Sequence, residues 1–327
     1  MSKILKSSEL GIGVILLLLS AALAVTSPVF LTGDNILDIL KGNAVLGILA
    51  IGMTLVIITG GIDVSVAAVT AAITVIIGKL AVSLHDSGWS LVAIFLAAPL
   101  VGALLGLVNG LLVAKTKIPP IVATLGTKSI LAGATLYVTN GAYMNSSDLP
   151  EAFLRFAQWK PLGVSVLILI FFAVALFTWF LLNHTVIGRS VVAMGGNPVS
   201  AMRAGIHLQS VQLFVYAYMG CLAGIAAIVQ TAYTKGVDPN GFNGFELTVI
   251  AAVVLGGANI MGGYGSIPGT ILGVLLLGVM QNGLILAHVD TFWQDIVTGA
   301  IILIAVTYDV IKRKREEANR AKIEIEA

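Results

Sequence analysis

The sequence predicts an all-α, polytopic membrane protein with about ten transmembrane helices, and three observations lead to this fold class. Of the 327 residues, 58% are hydrophobic and only 10% are charged, whereas an ordinary soluble domain is about 25% charged. The 302 residues from Leu10 to Ile311 carry 21 charges, too few to cover a water-exposed surface. The apolar residues also come in long runs. These features exclude a soluble enzyme, a disordered chain and, with a single cysteine, a disulfide-stapled domain.

Ten apolar stretches are long enough, or nearly long enough, to cross a membrane, whose hydrocarbon core takes roughly 20 residues of helix. The eighth stretch is short and interrupted by glycine, which indicates a broken or re-entrant helix surrounded by protein. In chain order the stretches are 10–27, 43–59, 66–84, 90–113, 122–139, 162–183, 211–231, 246–257, 267–286 and 294–311. Gly102 and Gly106, spaced four apart on the fourth stretch, are expected to let that helix approach another closely.

The basic residues predict the orientation, because Lys and Arg favour cytoplasmic segments. With the N-terminus in the cytoplasm, 12 of the 18 basic residues fall on the cytoplasmic side. An even number of spans then returns the C-terminus to the cytoplasm. We therefore expect one membrane domain, 1–311, followed by a charged cytoplasmic tail, 312–327. We interpret the basic start of that tail as a membrane anchor rather than as a nucleic-acid site.

The sequence contains no recognisable catalytic or metal-binding unit. The four histidines are not spaced as metal ligands on one helix. The segment Gly126–Ser129 is similar to the end of a phosphate-binding loop, but Ile121 replaces the required upstream glycine and no strand precedes it. We therefore expect no metal or cofactor in this chain and no hydrolysis of nucleotides by it. Two classes of function remain: a membrane protein that moves a solute, or one that holds other proteins in place.

The longest predicted cytoplasmic loop, 184–210, contains signals for a short helix. Asn197 is suited to the N-cap, Pro198 to the first turn and Gly205 to the end. A helix of seven or eight residues is too short to be stable alone, so it requires a partner surface. From the residues alone, an ordinary amphipathic connector is an equally good interpretation.

Four stretches resemble one family. The pattern from Gly188 to Ile206, with Arg189, Gly195-Gly196-Asn197 and Ala204-Gly205, resembles the coupling loop of permease subunits of ATP-binding-cassette importers, in the ribose, galactose, xylose and autoinducer-2 branch. The segments 49–66, 118–127 and 241–266 are also similar to that branch and follow its order. The sequence departs from the family pattern at Met202, Ala67 and Lys128.

The resemblance implies an assembly in the bacterial inner membrane. Two permease subunits, identical or related, would be embedded in lipid above cytoplasmic ATPases that bind ATP and Mg, and an external binding protein would deliver the solute. Acidic residues of the outer loops are candidates for contacting that protein: Asp34, Asp38, Asp86, Asp148, Glu151, Asp238 and Asp290. The residues implied in coupling to the ATPase are Gly188, Arg189, Ala193, Gly195, Asn197, Ala201, Arg203 and Gly205.

Two further groups of residues are candidates for a site. Gly60, Gly61, Asp63 and Ser65 form a gate or a structural turn, and we favour Asp63 as a helix cap. The segment Gly60–Ser65 is echoed by Gly262–Ser266, which suggests a parallel duplication, although glycine-rich coincidence competes with it. For Asn109 and Asn282 we expect hydrogen bonds between helices before any role in a pore. The candidate pathway residues are Asn43, Thr54, Thr124, Tyr137, Gln230, Glu246 and Asn282.

The most consistent function is the transport of a small neutral solute, and the resemblance favours a monosaccharide. A nucleoside, autoinducer-2 or a branched-chain amino acid could be carried by the same architecture. A different class, the ion-coupled secondary transporter, would usually bring carboxylates into the membrane. Only Asp63 and Glu246 qualify, and both lie near the ends of predicted spans.

Overall fold

The computed structural model describes residues 2–84 and 87–290, together with some positions from 292 to 307. The charged tail 312–327, most of the tenth predicted span and Asp86 therefore lie outside the described residues. Apart from one isolated β-bridge, the regular structure of the described part is helical. The helices are α1 (Ser2–Thr26), α2 (Gly33–Gly42), α3 (Ala44–Ile58), α4 (Val66–Ser83), α5 (Ser90–Ala114), α6 (Pro120–Thr139), α7 (Glu151–Gln158), α8 (Val166–His184), α9 (Val186–Gly196), α10 (Pro198–Arg203), α11 (Leu208–Thr234), α12 (Phe245–Leu255) and α13 (Ile267–Leu286).

Seven of these helices are long and apolar enough to cross a membrane, and the pair α2 and α3 makes an eighth if it is counted as one bent span. The all-α, multi-pass class is thus confirmed. The total of ten spans and the cytoplasmic position of both termini stay predictions. The long helices are α1, α4, α5, α6, α8, α11 and α13.

The predicted span 43–59 is only the second part of a bent segment. Helix α2 precedes it, and the axes of α2 and α3 meet at 46°. The bend lies at Asn43, whose side-chain amide donates to the carbonyl of Ile39 at 2.8 Å, beside Gly42. The sequence prediction missed α2 because its Asp34, Asp38 and Lys41 lower the apolar average. All 15 residues of α3 are buried, so this helix is central to the bundle.

Glycine governs the packing of α5 against α11. A Cβ on Gly102 would overlap the carbonyl oxygen of Gly220, and a Cβ on Gly106 would overlap that of Tyr216. A Cβ on Gly224 would likewise overlap the carbonyl oxygen of Ala98. The predicted close packing through Gly102 and Gly106 is therefore confirmed, since small residues let the two backbones touch.

Two helices cross only part of the bundle. By the rise of 1.5 Å per residue, α3 is about 22 Å long and α12 about 16 Å, both less than the roughly 30 Å of the hydrocarbon core. Both end on the side of the molecule that carries α9 and α10, which we call the proximal end; the opposite side is the distal end. Each is followed by a glycine-containing turn, after which Ser65 precedes α4 and Ser266 precedes α13. The two segments of the sequence echo therefore occupy similar positions, each between a partial helix and a long one, although only the Ser266 side chain caps its helix.

Candidate functional site

The predicted coupling loop consists of two helices rather than one. Thr185 caps α9, accepting a hydrogen bond from the Gly188 amide at 3.1 Å. A side chain on Gly188 would overlap the carbonyl oxygens of Leu181 and Leu182, so glycine allows α9 to fold back directly after α8. The single helix expected from Asn197 onward is the six-residue α10, shorter than the predicted seven or eight residues.

The predicted signals of α10 are confirmed. The Asn197 Oδ1 accepts a hydrogen bond from the Ser200 amide at 2.9 Å, and Pro198 opens the first turn. Gly205 has φ +85°, a left-handed conformation that glycine adopts without strain. Ala201 is buried against the bundle. One face of α10 therefore packs against the bundle through Ala201, and the other face is exposed.

The free face of α9 and α10 combines apolar and cationic side chains. Val199 is 53% exposed and Met202 is 59% exposed. Arg189 on α9 and Arg203 at the end of α10 are also exposed. An apolar ridge flanked by positive charge is suited to insertion into a groove on another protein. In the sequence Met202 was only a departure from the family pattern, whereas the structure exposes its side chain beside Arg203.

The other end of α9 contacts the turns that follow the two partial helices. A Cβ on Gly195 would overlap the carbonyl oxygen of Ile58, which already accepts a hydrogen bond from the Gly263 amide at 2.8 Å. A Cβ on Gly262 would lie 3.0 Å from the Gly60 nitrogen. We call this meeting of backbones the glycine junction; it consists of Gly60, Gly61, Gly195, Gly262 and Gly263. Ala193 lies half-buried one turn before Asn197.

Beside the junction, a buried polar network joins three helices. The Asp63 Oδ1 accepts hydrogen bonds from the Ser65 amide at 2.8 Å and the Ser65 hydroxyl at 2.6 Å. The Asn109 side chain of α5 donates to the Ser65 Oγ at 2.7 Å, and the Val64 amide donates to the Thr124 Oγ1 of α6 at 3.1 Å. The hydrogen bond expected for Asn109 is therefore confirmed.

The Asp63 carboxylate organises the turn that leads into α4. Ser65, rather than Asp63, occupies the N-cap position of α4. Burial raises the pKa of the Asp63 carboxyl above its usual value, while the hydrogen bonds from Ser65 act in the opposite direction. Tyr216 of α11 also reaches this turn: its hydroxyl is buried, has no hydrogen-bond partner among the described residues and faces Gly61. Helix α11 carries three tyrosines, Tyr216, Tyr218 and Tyr233, and the sequence does not distinguish the one that reaches the turn.

An ion pair lies about halfway along the bundle. The Lys128 ammonium of α6 contacts the Glu246 Oε1 of α12. Lys128 is eight residues beyond the start of α6, about 12 Å from its proximal end. The Glu246 side chain is 3% exposed, and its Oε2 has no hydrogen-bond partner within the described part of the chain. Both residues stand out separately in the sequence, but nothing in the sequence pairs them.

The remaining candidate pathway residues do not converge on one cavity. Thr54 is fully buried, and its Oγ1 shares a hydrogen bond of 2.6 Å with the Thr270 Oγ1 of α13. The side-chain amides of Asn282 and Asn35 of α2 donate to each other at 2.8 and 3.0 Å. The latter confirms the interhelical contact expected for Asn282. Asn43 lies at the bend before α3, and Thr124 supports the turn of Asp63. Tyr137 is 84% exposed on α6.

One cavity lies at the distal end and has a volume of about 290 Å³. Gln230 is the candidate pathway residue that lines it. The other lining residues come from α4, from the loop after α6, from the end of α11 and from the loop between α11 and α12: Thr74, Tyr143, Thr234, Gly236, Val237, Asp238, Gly241 and Phe242. Across the described ranges, no three His, Cys, Asp or Glu side chains are placed to hold a metal ion.

Comparison with known proteins identifies the family. A family model described as "Branched-chain amino acid transport system / permease component" matches residues 35–306, which include α9, α10 and the glycine junction. The chain belongs to this permease family. No solved structure matches the chain.

Three relatives of the permease cover nearly its whole length. The ribose import permease protein RbsC of Escherichia coli K12 is 38% identical over 90% of this chain and 91% of its own. The L-arabinose ABC transporter permease protein AraH of Azospirillum brasilense is 33% identical over 94% and 89%. The D-allose transport system permease protein AlsC of Escherichia coli K12 is 35% identical over 86% and 84%. With its membrane-length helices, this permease is a multi-pass protein of the inner membrane.

Proposed function

We propose that this permease is the membrane-spanning subunit of an ATP-driven importer and forms the path for a monosaccharide. One structural observation carries the proposal: α10 exposes Val199, Met202 and Arg203, while Gly195 at the end of α9 contacts the turn after α3. A protein docked on the exposed face is thereby connected, through one short rigid segment, to the centre of the bundle. The names of the relatives supply the substrate class.

The mechanism assigns the chemistry of ATP to a partner. A separate ATPase binds ATP and Mg, and its groove receives α9 and α10 through Arg189, Met202 and Arg203. Closure of the ATPases moves the coupling helices and shifts the permease between two conformations, because each ATPase state binds one conformation better. The glycine junction transmits this movement to the turns of Asp63 and Gly263.

Helix α6 supports the presence of a second permease subunit. It has the lowest mean hydropathy of the seven long helices, 1.4 against 1.8 or more. Ile121, Val122 and Tyr137 leave this helix widely exposed, and Lys128 lies at its middle. Although Lys128 pairs with Glu246, its side chain stays 29% exposed, and a partly exposed charge facing the hydrocarbon core is costly. A second copy or a related subunit covers this face of α6 and completes the path.

The binding protein docks at the distal end. The acidic candidates Asp148, Glu151 and Asp238 are exposed there, as is Asp290. Positive charge on the rim of a binding protein would be steered towards them. This arrangement places delivery of the solute and hydrolysis of ATP at opposite ends of the permease.

Reconstituted transport tests the proposal. The permease, its ATPase and its binding protein are assembled in liposomes, and uptake of labelled ribose, arabinose, allose, leucine, uridine and autoinducer-2 is measured with and without ATP. We expect ATP-dependent uptake of one of the three sugars. Uptake of leucine, the cargo class in the family description, or of uridine or autoinducer-2 instead would overturn the substrate assignment. Uptake driven by an ion gradient without ATP would overturn the importer itself.

A further inference from the structure

The distal cavity has the size and the rigid frame of a small-molecule site. Its volume of about 290 Å³ is just below that of ligand pockets, which range from roughly 300 to 1,000 Å³. Its walls are fixed by backbone: the amides of Met144 and Val237 each donate to the other's carbonyl at 3.0 Å. A Cβ on Gly236 would overlap the Tyr143 hydroxyl, so the glycine brings that ring against the wall. A preformed cavity binds with little loss of conformational entropy.

The side chains that line the cavity can both donate and accept hydrogen bonds. The Gln230 amide makes no hydrogen bond to another described residue, which leaves its donors and its acceptor available to a solute. Tyr143 adds a hydroxyl, and Asp238 adds a carboxylate whose Oδ1 already accepts from the Asn240 amide at 2.8 Å. The lining contains no cation. It therefore favours a neutral polyhydroxylated solute and disfavours an anionic one.

Phe242 forms the floor of the cavity. Its side chain is 6% exposed, and it lines both this cavity and the small space around Lys128 and Glu246. That small space has a volume of about 20 Å³, enough for about one water molecule and too small for a sugar. A sugar that occupies the distal cavity therefore does not fit into the space beside the ion pair.

We propose that the distal cavity is a binding site for a single monosaccharide, in which Gln230 and Tyr143 hydrogen-bond the sugar and Phe242 blocks its further passage. The site holds the solute after its release from the binding protein and before the path opens. The choice of a sugar rests on the proposed function, whereas the position of the site rests on the cavity itself.

The test measures binding to the permease alone. The full-length chain is purified in nanodiscs without its partners, and saturation-transfer NMR is recorded with D-ribose, L-arabinose, D-allose and, as a charged control, D-ribonate. We expect weak binding of a sugar and no binding of the acid. Gln230→Leu should weaken sugar binding about three- to tenfold, the range expected for loss of one hydrogen bond. Tyr143→Phe is a second, independent variant.

The control is Gln209→Leu, the same chemical change on the exposed proximal end of α11. Its sugar affinity should equal that of the unaltered chain. Absence of sugar binding, or equal affinity of the Gln230→Leu, Tyr143→Phe and Gln209→Leu chains, overturns the site. Because this test omits ATPase and binding protein, a site that fails here while sugar uptake persists leaves the proposed function standing. Uptake of another solute, with sugar binding intact, would separate the two in the opposite direction.

Discussion

The Lys128–Glu246 pair gives the sharpest energetic prediction. Glu246 is almost completely buried, whereas Lys128 is 29% exposed. Replacing Lys128 with Met keeps the length of the side chain but leaves an unpaired carboxylate in the interior. Breaking a buried pair in this way costs about 3–5 kcal/mol. Because the Lys128 side chain is partly exposed, the pair is partly screened, and we expect a loss at the lower end of this range, about 3 kcal/mol. Glu246→Gln alone should cost less, since a partly exposed ammonium is more easily solvated.

The double variant tests the physical reasoning. Lys128→Met with Glu246→Gln removes both charges at similar volume, and replacement of a buried pair by neutral groups is often without cost. The apparent melting temperature of the full chain in detergent is the measurement. At roughly 2–4 °C per kcal/mol, Lys128→Met should melt about 6–12 °C lower, and the double variant should recover most of that loss.

An exposed ion pair provides the matched control. In α7 the Arg155 Nε lies 3.8 Å from the Glu151 Oε1, and the two side chains are 73% and 81% exposed. Arg155→Met should change stability by less than about 0.5 kcal/mol, because water screens such a pair. Two results would refute the reasoning: a melting temperature of Lys128→Met no lower than that of Arg155→Met, or one of the double variant no higher than that of Lys128→Met. Either would mean that the buried Glu246 charge does not destabilise the chain when its partner is removed.

Three further predictions concern the proximal end. Gly195→Ala should abolish coupled uptake or destabilise the chain, because its Cβ would overlap the Ile58 carbonyl, whereas Gly196→Ala meets nothing within 4 Å and should retain both uptake and melting temperature. Arg189→Glu should lower ATP-dependent uptake at least tenfold with normal membrane insertion; an unchanged ratio of sugar transported to ATP hydrolysed would contradict its role. Asn109→Leu should lower stability by about 1–3 kcal/mol, measured by thermal unfolding, since the Ser65 hydroxyl loses its buried donor. Unaltered melting would remove Asn109 from the network.

Local signals were readable from the sequence wherever a residue type has one dominant structural use. Asn197 and Pro198 predicted the start of α10, because their side chains favour a helix terminus in any fold. The spacing of Gly102 and Gly106 predicted close packing of a membrane helix. Neither prediction needs knowledge of the partner. The partner helix α11 became visible only in three dimensions.

Features that depend on distant parts of the chain could not be read in advance. Lys128 and Glu246 are 118 positions apart, and no local pattern indicates which cation a buried carboxylate will meet. Helix α2 was missed because its charges lower its apolar average, although its buried Ile39 faces the bundle. The distal cavity is formed by three segments that no linear motif connects. The glycine junction shows the same limit, since the sequence indicated small residues without showing that they meet.

The glycine junction has a mechanical consequence. Side-chain contacts can absorb a small displacement by changing rotamer, but the contacts of Gly195 with Ile58 and of Gly263 with Ile58 run through backbone atoms. Backbone contacts of this kind leave little room for adjustment. If α9 moves as proposed, we expect the turn after α3 and the turn after α12 to move with it together, because both contact α9 through the same carbonyl region.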